Sequence, residues 1–160
     1  MREIEFTIEA FQFSHQPSIN TLSKQIQKEF FIPFASADSK SIYELSFDPK
    51  QHYWCAVSHG KVIGTVGVVD IGNATGVVKR MFLKKGFRGE KYQIAKKLLQ
   101  LVIYYAIEHK MKQIYLGTML QFVAAQKFYL KNGFIEITRE ELPSNFPANE
   151  QDTVFYKLML

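Results

Sequence analysis

A chain of 160 residues with 47% hydrophobic side chains is the size of one globular domain and long enough to bury a substantial core, so residues 1–160 read as a single domain. The opening Met1-Arg2-Glu3-Ile4-Glu5-Phe6 lacks an apolar targeting core, and the longest apolar stretch, Leu98 to Ile107, is broken by Gln100 and too short to span a bilayer. A soluble, unprocessed, cytoplasmic protein is expected, and the single cysteine, Cys55, excludes an internal disulfide and reads as a small core residue within Tyr53-Trp54-Cys55-Ala56-Val57.

Glu3 to Phe11 alternates apolar and polar residues, the period of a half-buried strand. Ser18 to Phe30 places Ile19, Leu22, Ile26 and Phe30 at helical spacing, with Pro17 or Ser18 at the start and Pro33 ending it. A short helix is expected from Ser39 through Leu45, capped by Asp38 or Ser39. The middle reads as a meander of Tyr53–Ser58, Lys61–Asp70 and Thr75–Leu83, joined by short turns at His59-Gly60 and Ile71 to Ala74. From Lys91 the pattern turns helical, because Ile94, Ala95, Leu98, Leu99, Val102, Tyr105 and Ala106 form one apolar stripe that ends near His109-Lys110. Gln113–Thr118 reads as a buried strand, and Gln121–Lys131 as a helix with Phe122, Ala125, Phe128 and Tyr129 inward and Asn132-Gly133 as its stop. Phe134–Thr138 is a strand, Arg139–Gln151 a loop with Pro143 and Pro147, and Thr153–Leu160 the last strand. This order implies an α/β sandwich around a mixed sheet.

The net charge is +5, and its distribution is uneven. Between Lys79 and Lys97 stand eight basic residues (Lys79, Arg80, Lys84, Lys85, Arg88, Lys91, Lys96, Lys97) against Glu90, a net of +7. The rest has 12 basic against 14 acidic residues, a net of −2. That segment also runs from a strand through a glycine-bearing turn, with Gly86 and Gly89, into a helix. A helix start offers unpaired backbone N–H groups and the positive end of its dipole, so a diphosphate is the ligand the segment suggests. It is not a Walker loop, since no Gly-Lys-Ser/Thr follows at the required spacing, and it lacks Gly-x-Gly-x-x-Gly.

These residues resemble the GNAT superfamily of acyl-CoA N-acyltransferases, whose turn is written Arg/Gln-x-x-Gly-x-Gly/Ala. Here Glu90 takes the Arg/Gln position, Gln93 the first glycine, Ile94 the variable position and Ala95 the last, while two extra residues part the upstream Arg88-Gly89 from the helix start. Downstream, Ala125-Gln126-Lys127-Phe128-Tyr129-Leu130-Lys131-Asn132-Gly133-Phe134 is similar to the family's Ala-x-x-x-Tyr-x-x-x-Gly-Phe at every spacing. The asparagine that the family often has three residues before that alanine is Phe122 here. The resemblance implies a mixed, mainly antiparallel, twisted central sheet flanked by helices, forming one N-acetyltransferase domain. It also implies acetyl-CoA as cosubstrate, no metal, and an amine acceptor, small molecule or peptide. It admits a homodimer.

On the same resemblance, Met81, Phe82 and Leu83 border the acyl group and pantetheine, while Arg88, Gly89, Lys91, Tyr92, Gln93, Ile94 and Ala95 hold the coenzyme. A neutral amine attacks the thioester, a backbone N–H of the fourth strand steadies the oxyanion, and Tyr129 protonates the thiolate. Taken alone, Tyr129 reads as a core aromatic; the family match makes it the acid. Val77 and Val78 stand where the family's usual acids lie, which leaves Asp70, Glu29, Glu150, Asp152 and the four histidines, His15, His52, His59 and His109, as amine activators. Asp152 is also a carboxylate suited to attract a cationic amine. The acceptor site would be built from Gln16–Phe47 and Arg139–Gln151, whose aromatics suit an amine with an apolar part. Two rival readings remain. One is a non-catalytic acyl-CoA-binding sensor or scaffold. The other, a nucleic-acid-binding module, is disfavoured because no aromatic pair interleaves the basic segment and the remaining chain is net acidic. No membrane partner is expected.

Overall fold

The computed structural model describes residues 5–31, 40–149 and 151–160. Its strands are β1 (Thr7–Ala10), β2 (Gln51–Ser58), β3 (Lys61–Gly72), β4 (Thr75–Leu83), β5 (Gln113–Thr118), β6 (Ile135–Ile137) and β7 (Val154–Met159). The helices are α1 (Gln16–Phe30), α2 (Ile42–Leu45), α3 (Ile94–Glu108) and α4 (Val123–Lys131), with 3₁₀ turns at Phe13–His15 and Arg139–Glu141. The strands form one mixed, mostly antiparallel sheet in the order β1-β2-β3-β4-β5-β7-β6. The β4–β5 pair is the parallel one, and it is short: Thr75, Gly76 and Val77 face Gln113, Ile114 and Tyr115. On its other edge β5 pairs with β7 over all six residues, Gln113↔Met159 to Thr118↔Val154. No helix among the described residues is long and apolar enough to cross a membrane.

By contacts the chain divides into two units, one reaching Val68 and including Arg80–Val102, the other comprising Val69–Lys79 and Ile103–Leu160. In the first, α1 lays Ile19, Leu22 and Ile26 on Ile42, Tyr53, Cys55 and Val62, with Phe11, Phe30, Leu45, Val57 and Phe82 closing the cluster. That face is the helical repeat of the sequence. Burial pushes the Cys55 thiol up to about 12, so it is an un-ionised core residue, as expected. In the second unit Tyr115, Ile137 and Phe155 pack with Leu142 and Phe146.

Several element ends differ from expectation. The α1 helix starts two residues earlier, at Gln16, and stops on Phe31, whose φ of 55° turns the chain out of the helix before Pro33, a residue outside those described. The short helix α2 begins at Ile42, not Ser39, because Ser41 and Glu44 form a reciprocal capping box; Asp38 and Ser39 lie outside the described residues. Lys91 and Tyr92 belong to a turn, and α3 starts only at Ile94. The α4 helix starts at Val123, and of its expected inward residues only Tyr129 is fully buried.

Gly67 of β3 exists for space. A Cβ there would stand 2.2 Å from Cε1 and 2.3 Å from Cδ1 of Tyr53, a side chain only 3% exposed. Gly67→Ala is expected to cost about 1–3 kcal/mol by overpacking, lowering Tm by about 2–4 °C per kcal/mol. A thermal melt checks this, and an unchanged Tm would mean that the Tyr53 ring moves aside freely.

Candidate active site

The first unit carries the end of β4 from Arg80, the turn that follows it and the first part of α3. Along β4 the backbone is extended except at Arg80, whose φ is 53° although it is not glycine. Thr65 Oγ1, buried on β3, donates to the Arg80 carbonyl at 2.6 Å, and Arg80 Nη2 donates to the Lys40 carbonyl at 2.7 Å. This left-handed residue breaks the pleat one position before Met81, Phe82 and Leu83, a kink of the kind that re-aims a strand beside a site. No sequence signal announced it. Gly64 of β3 lets the end of β4 come close, since a Cβ there would lie 2.9 Å from Leu83 Cδ1 and 3.2 Å from the Phe82 carbonyl oxygen.

Beyond Leu83 the chain turns through Gly86 (φ 96°) and Gly89 (φ 97°), conformations costly for any residue with a Cβ. Gln93, which stands at the position of the motif's first glycine, adopts φ 57°, the conformation a glycine would supply. Its side-chain Nε2 steadies it by donating to the Glu90 carbonyl at 2.7 Å. The first helical bond of α3 runs from Lys97 N–H to the Gln93 carbonyl at 3.0 Å. Helix geometry therefore leaves the N–H groups of Ile94, Ala95 and Lys96 without an i−4 acceptor. Ile94 itself is fully buried and anchors this end. Phe87 and Tyr92 stand 6.4 Å apart across the turn, with Lys91 Nζ 5.3 Å from the Tyr92 ring centroid. The turn combines aligned donors with exposed lysines, which is the chemistry of an anion site.

Arg88 is placed differently from the other basic residues. Its Nε donates to the Leu83 carbonyl at 2.8 Å, Nη2 donates to Glu29 Oε1 at 2.8 Å, Nη1 donates to Glu29 Oε2, and the guanidinium lies 5.3 Å from the Phe30 ring centroid. The bidentate pair ties the turn to the last residues of α1, and the Arg88 hydrogen bond holds the Glu29 carboxyl below its usual range. Glu29, a candidate amine activator on sequence, is thus engaged as a strut.

The second unit holds Tyr129, on α4. The spacing Tyr-x-x-x-Gly-Phe has a structural meaning here. Gly133 N–H bonds the Leu130 carbonyl at 3.2 Å and Phe134 N–H bonds the Tyr129 carbonyl at 3.1 Å, a Schellman stop with Gly133 left-handed at φ 94°. That stop fixes the Tyr129 backbone, and Phe128, Phe134 and Tyr156 hold the ring at centroid distances of 5.7, 5.6 and 5.8 Å. Burial pushes the phenol well above its usual range, with the charges of Tyr156 and Asp152 adding to the shift.

Asp152, in the approach to β7, is 6% exposed. Its Oδ2 accepts from Asn149 N–H at 3.3 Å, and a Cβ on Gly117 of β5 would lie 2.7 Å from that same oxygen. Desolvation raises its pKa, opposed by the Asn149 hydrogen bond and the charges of Lys79 and Arg139. The remaining base candidates have local roles. His15 accepts from Gln12 N–H at 2.9 Å and meets Glu9 at 3.3 Å, His109 stacks on Tyr105 at 3.9 Å, His52 packs edge-on to Trp54, and His59 forms the β2–β3 turn at φ 50°. Asp70 accepts from Gly72 N–H at 2.9 Å, and Glu150 lies outside the described residues.

The Acetyltransferase (GNAT) family description matches residues 19–134. Among solved structures, an acetyltransferase of the GNAT family from Staphylococcus aureus MU50 is 34% identical, with a TM-score of 0.90 over 98% of this chain and 99% of that one. An acetyltransferase from Streptococcus agalactiae 2603 is 23% identical (TM-score 0.82; 97% and 98% covered) and shares the fold. So does the PaiA N-acetyltransferase from Thermoplasma acidophilum, solved in complex with coenzyme A, at 14% identity (TM-score 0.73; 98% and 100% covered). No curated protein sequence matches the chain. With more than half its length matched by the family and a relative above 30% identity along nearly all of it, this chain belongs to the GNAT family of acetyltransferases.

Proposed function

We propose that the chain, as one N-acetyltransferase domain, transfers the acetyl group of acetyl-CoA directly to a primary amine. The observation that carries this reading is the turn into α3: the orphan amides of Ile94 to Lys96 and the left-handed Gly89 and Gln93 lie within the segment that holds all the excess positive charge. In this reading the amides around Gly89 to Ala95, with Lys91 and Tyr92, receive the coenzyme diphosphate. The main chain of Met81, Phe82 and Leu83 runs beside the pantetheine and acyl group, as an added strand would. The amine nitrogen bonds the thioester carbon, the C–S bond breaks, and the thiolate takes its proton from Tyr129. Placement of the reactants supplies most of the acceleration.

Acetyl-CoA is expected to stabilise the protein, by about 2.7 kcal/mol at a hundred times its Kd. This corresponds to a rise in Tm of about 5–10 °C. The affinity should fall with rising salt, because phosphate contacts are partly electrostatic. Equal melting temperatures with and without millimolar acetyl-CoA would refute the reading. Thiol release from acetyl-CoA in the presence of amines and peptides separates catalysis from the alternative, a non-catalytic acyl-CoA sensor, which would bind without turnover.

A further inference from the structure

We propose that the carboxylate of Asp152 is the subsite for the acceptor's primary ammonium and takes its proton, an assignment that rests on the acetyltransferase reading above. The geometry leaves one oxygen unclaimed: among the described residues the only hydrogen bond to this carboxylate is that from Asn149 N–H to Oδ2. Oδ1 has no such partner. Two cations stand near, yet each donates to main chain: Lys79 of β4 to the Pro147 carbonyl, and Arg139 of the 3₁₀ turn to the Asp152 carbonyl at 3.0 Å. They lie 5.7 Å from the Phe146 ring centroid and 4.9 Å from the Phe155 ring centroid respectively. Space for the acid is made by Gly117, where a Cβ would stand 2.7 Å from Oδ2 and 2.9 Å from Cγ. Any side chain on that residue of β5 would displace the carboxylate.

A buried carboxylate with an open oxygen is suited to a ligand that brings its own charge and donors. A primary ammonium does both. Desolvation raises the Asp152 pKa despite Lys79 and Arg139, and the same desolvation lowers that of a bound ammonium, so the gap between the two narrows. The Tyr129 phenol feels the Asp152 charge as well. The balance is simple: the ammonium gives a proton to Asp152, its lone pair bonds the thioester carbon, the C–S bond breaks, and the thiolate takes a proton from Tyr129. The second N–H proton leaves the nitrogen as the amide forms and returns through water to Tyr129.

The sign of the stability effect separates this role from a structural one. A carboxylate whose pKa is raised by folding destabilises the folded state when ionised, and that penalty disappears as pH falls below the ordinary carboxylate range. Asp152→Asn keeps an acceptor for Asn149 N–H and removes the charge. It is expected to leave Tm at pH 7 unchanged or higher, to leave acetyl-CoA affinity unchanged, and to lower kcat/KM about a hundredfold with spermidine, tyramine or a peptide with a free α-amine. The acid limb of the wild-type pH profile should disappear in the variant. Gly117→Ala, which pushes the carboxylate away, should lower kcat/KM in the same way. Wild-type rates in Asp152→Asn, or a lost rate accompanied by a lower Tm and weaker acetyl-CoA binding, would overturn the assignment while leaving the acetyltransferase reading intact. Absence of acetyl-CoA stabilisation would remove both.

Discussion

Tyr129→Phe is expected to lower kcat by about tenfold to a thousandfold, with acetyl-CoA affinity and Tm close to wild type, as for loss of a general acid. The substitution keeps the ring against Phe128, Phe134 and Tyr156, so the packing that holds α4 is preserved. It also leaves the Schellman stop intact, because that stop uses the Tyr129 carbonyl. Only the hydroxyl is lost. Because burial drives the phenol well above its ordinary pKa, Tyr129 stays protonated throughout the range in which the protein would be assayed. Ionisation of Tyr129 is therefore not expected to contribute a basic limb to the pH profile. Steady-state kinetics from pH 6 to 9, with melting curves in parallel, check this. An unchanged kcat across that range would return Tyr129 to the core as a packing residue.

Glu29→Gln is expected to weaken acetyl-CoA binding about tenfold, although removing an acid near an anion site should by Coulomb attraction alone strengthen it. The reason is the pair with Arg88, whose three guanidinium nitrogens are engaged by Leu83 and Glu29. If Arg88 shapes the turn instead of touching phosphate, loss of the carboxylate loosens the turn. Arg88→Lys keeps the charge but not the fork, and should weaken binding to a similar degree. The side chains are 31% and 23% exposed, so solvent screens the pair and its direct effect on Tm should be small. Folding lowers the Glu29 pKa, so the pair's contribution is present at neutral pH and is lost as pH falls through that lowered value. Titration calorimetry of both variants decides the matter. Tighter binding by Glu29→Gln would show that Arg88, once released, turns to the phosphate.

The features legible in the chain are those that depend on near neighbours. The β-branched and aromatic runs of β2, β3 and β4 between short turns, the apolar stripe of α3 from Ile94 to Ala106, and the Asn132-Gly133 stop after Tyr129 all follow from local residue patterning and turn chemistry, which act over a few residues. The turn before α3 was legible because its cues, glycine and lysine beside a helix start, are also local. Residue identity alone did not show its backbone. Gln93 lacks the family's glycine yet takes the glycine conformation, since the surrounding turn imposes it and the bond to Glu90 supports it. The surroundings of Arg88, Glu29 and Asp152 come from long-range contacts. Arg88 and Glu29 are 59 positions apart, and the choice between a phosphate ligand and a strut depends on α1 ending beside the turn. Asp152 becomes a buried acid because Gly117 of β5, 35 positions earlier in the chain, leaves room for its carboxylate. Such pairings depend on how distant segments cross, and side-chain chemistry changes with the dielectric and the partners found there, which no local pattern encodes.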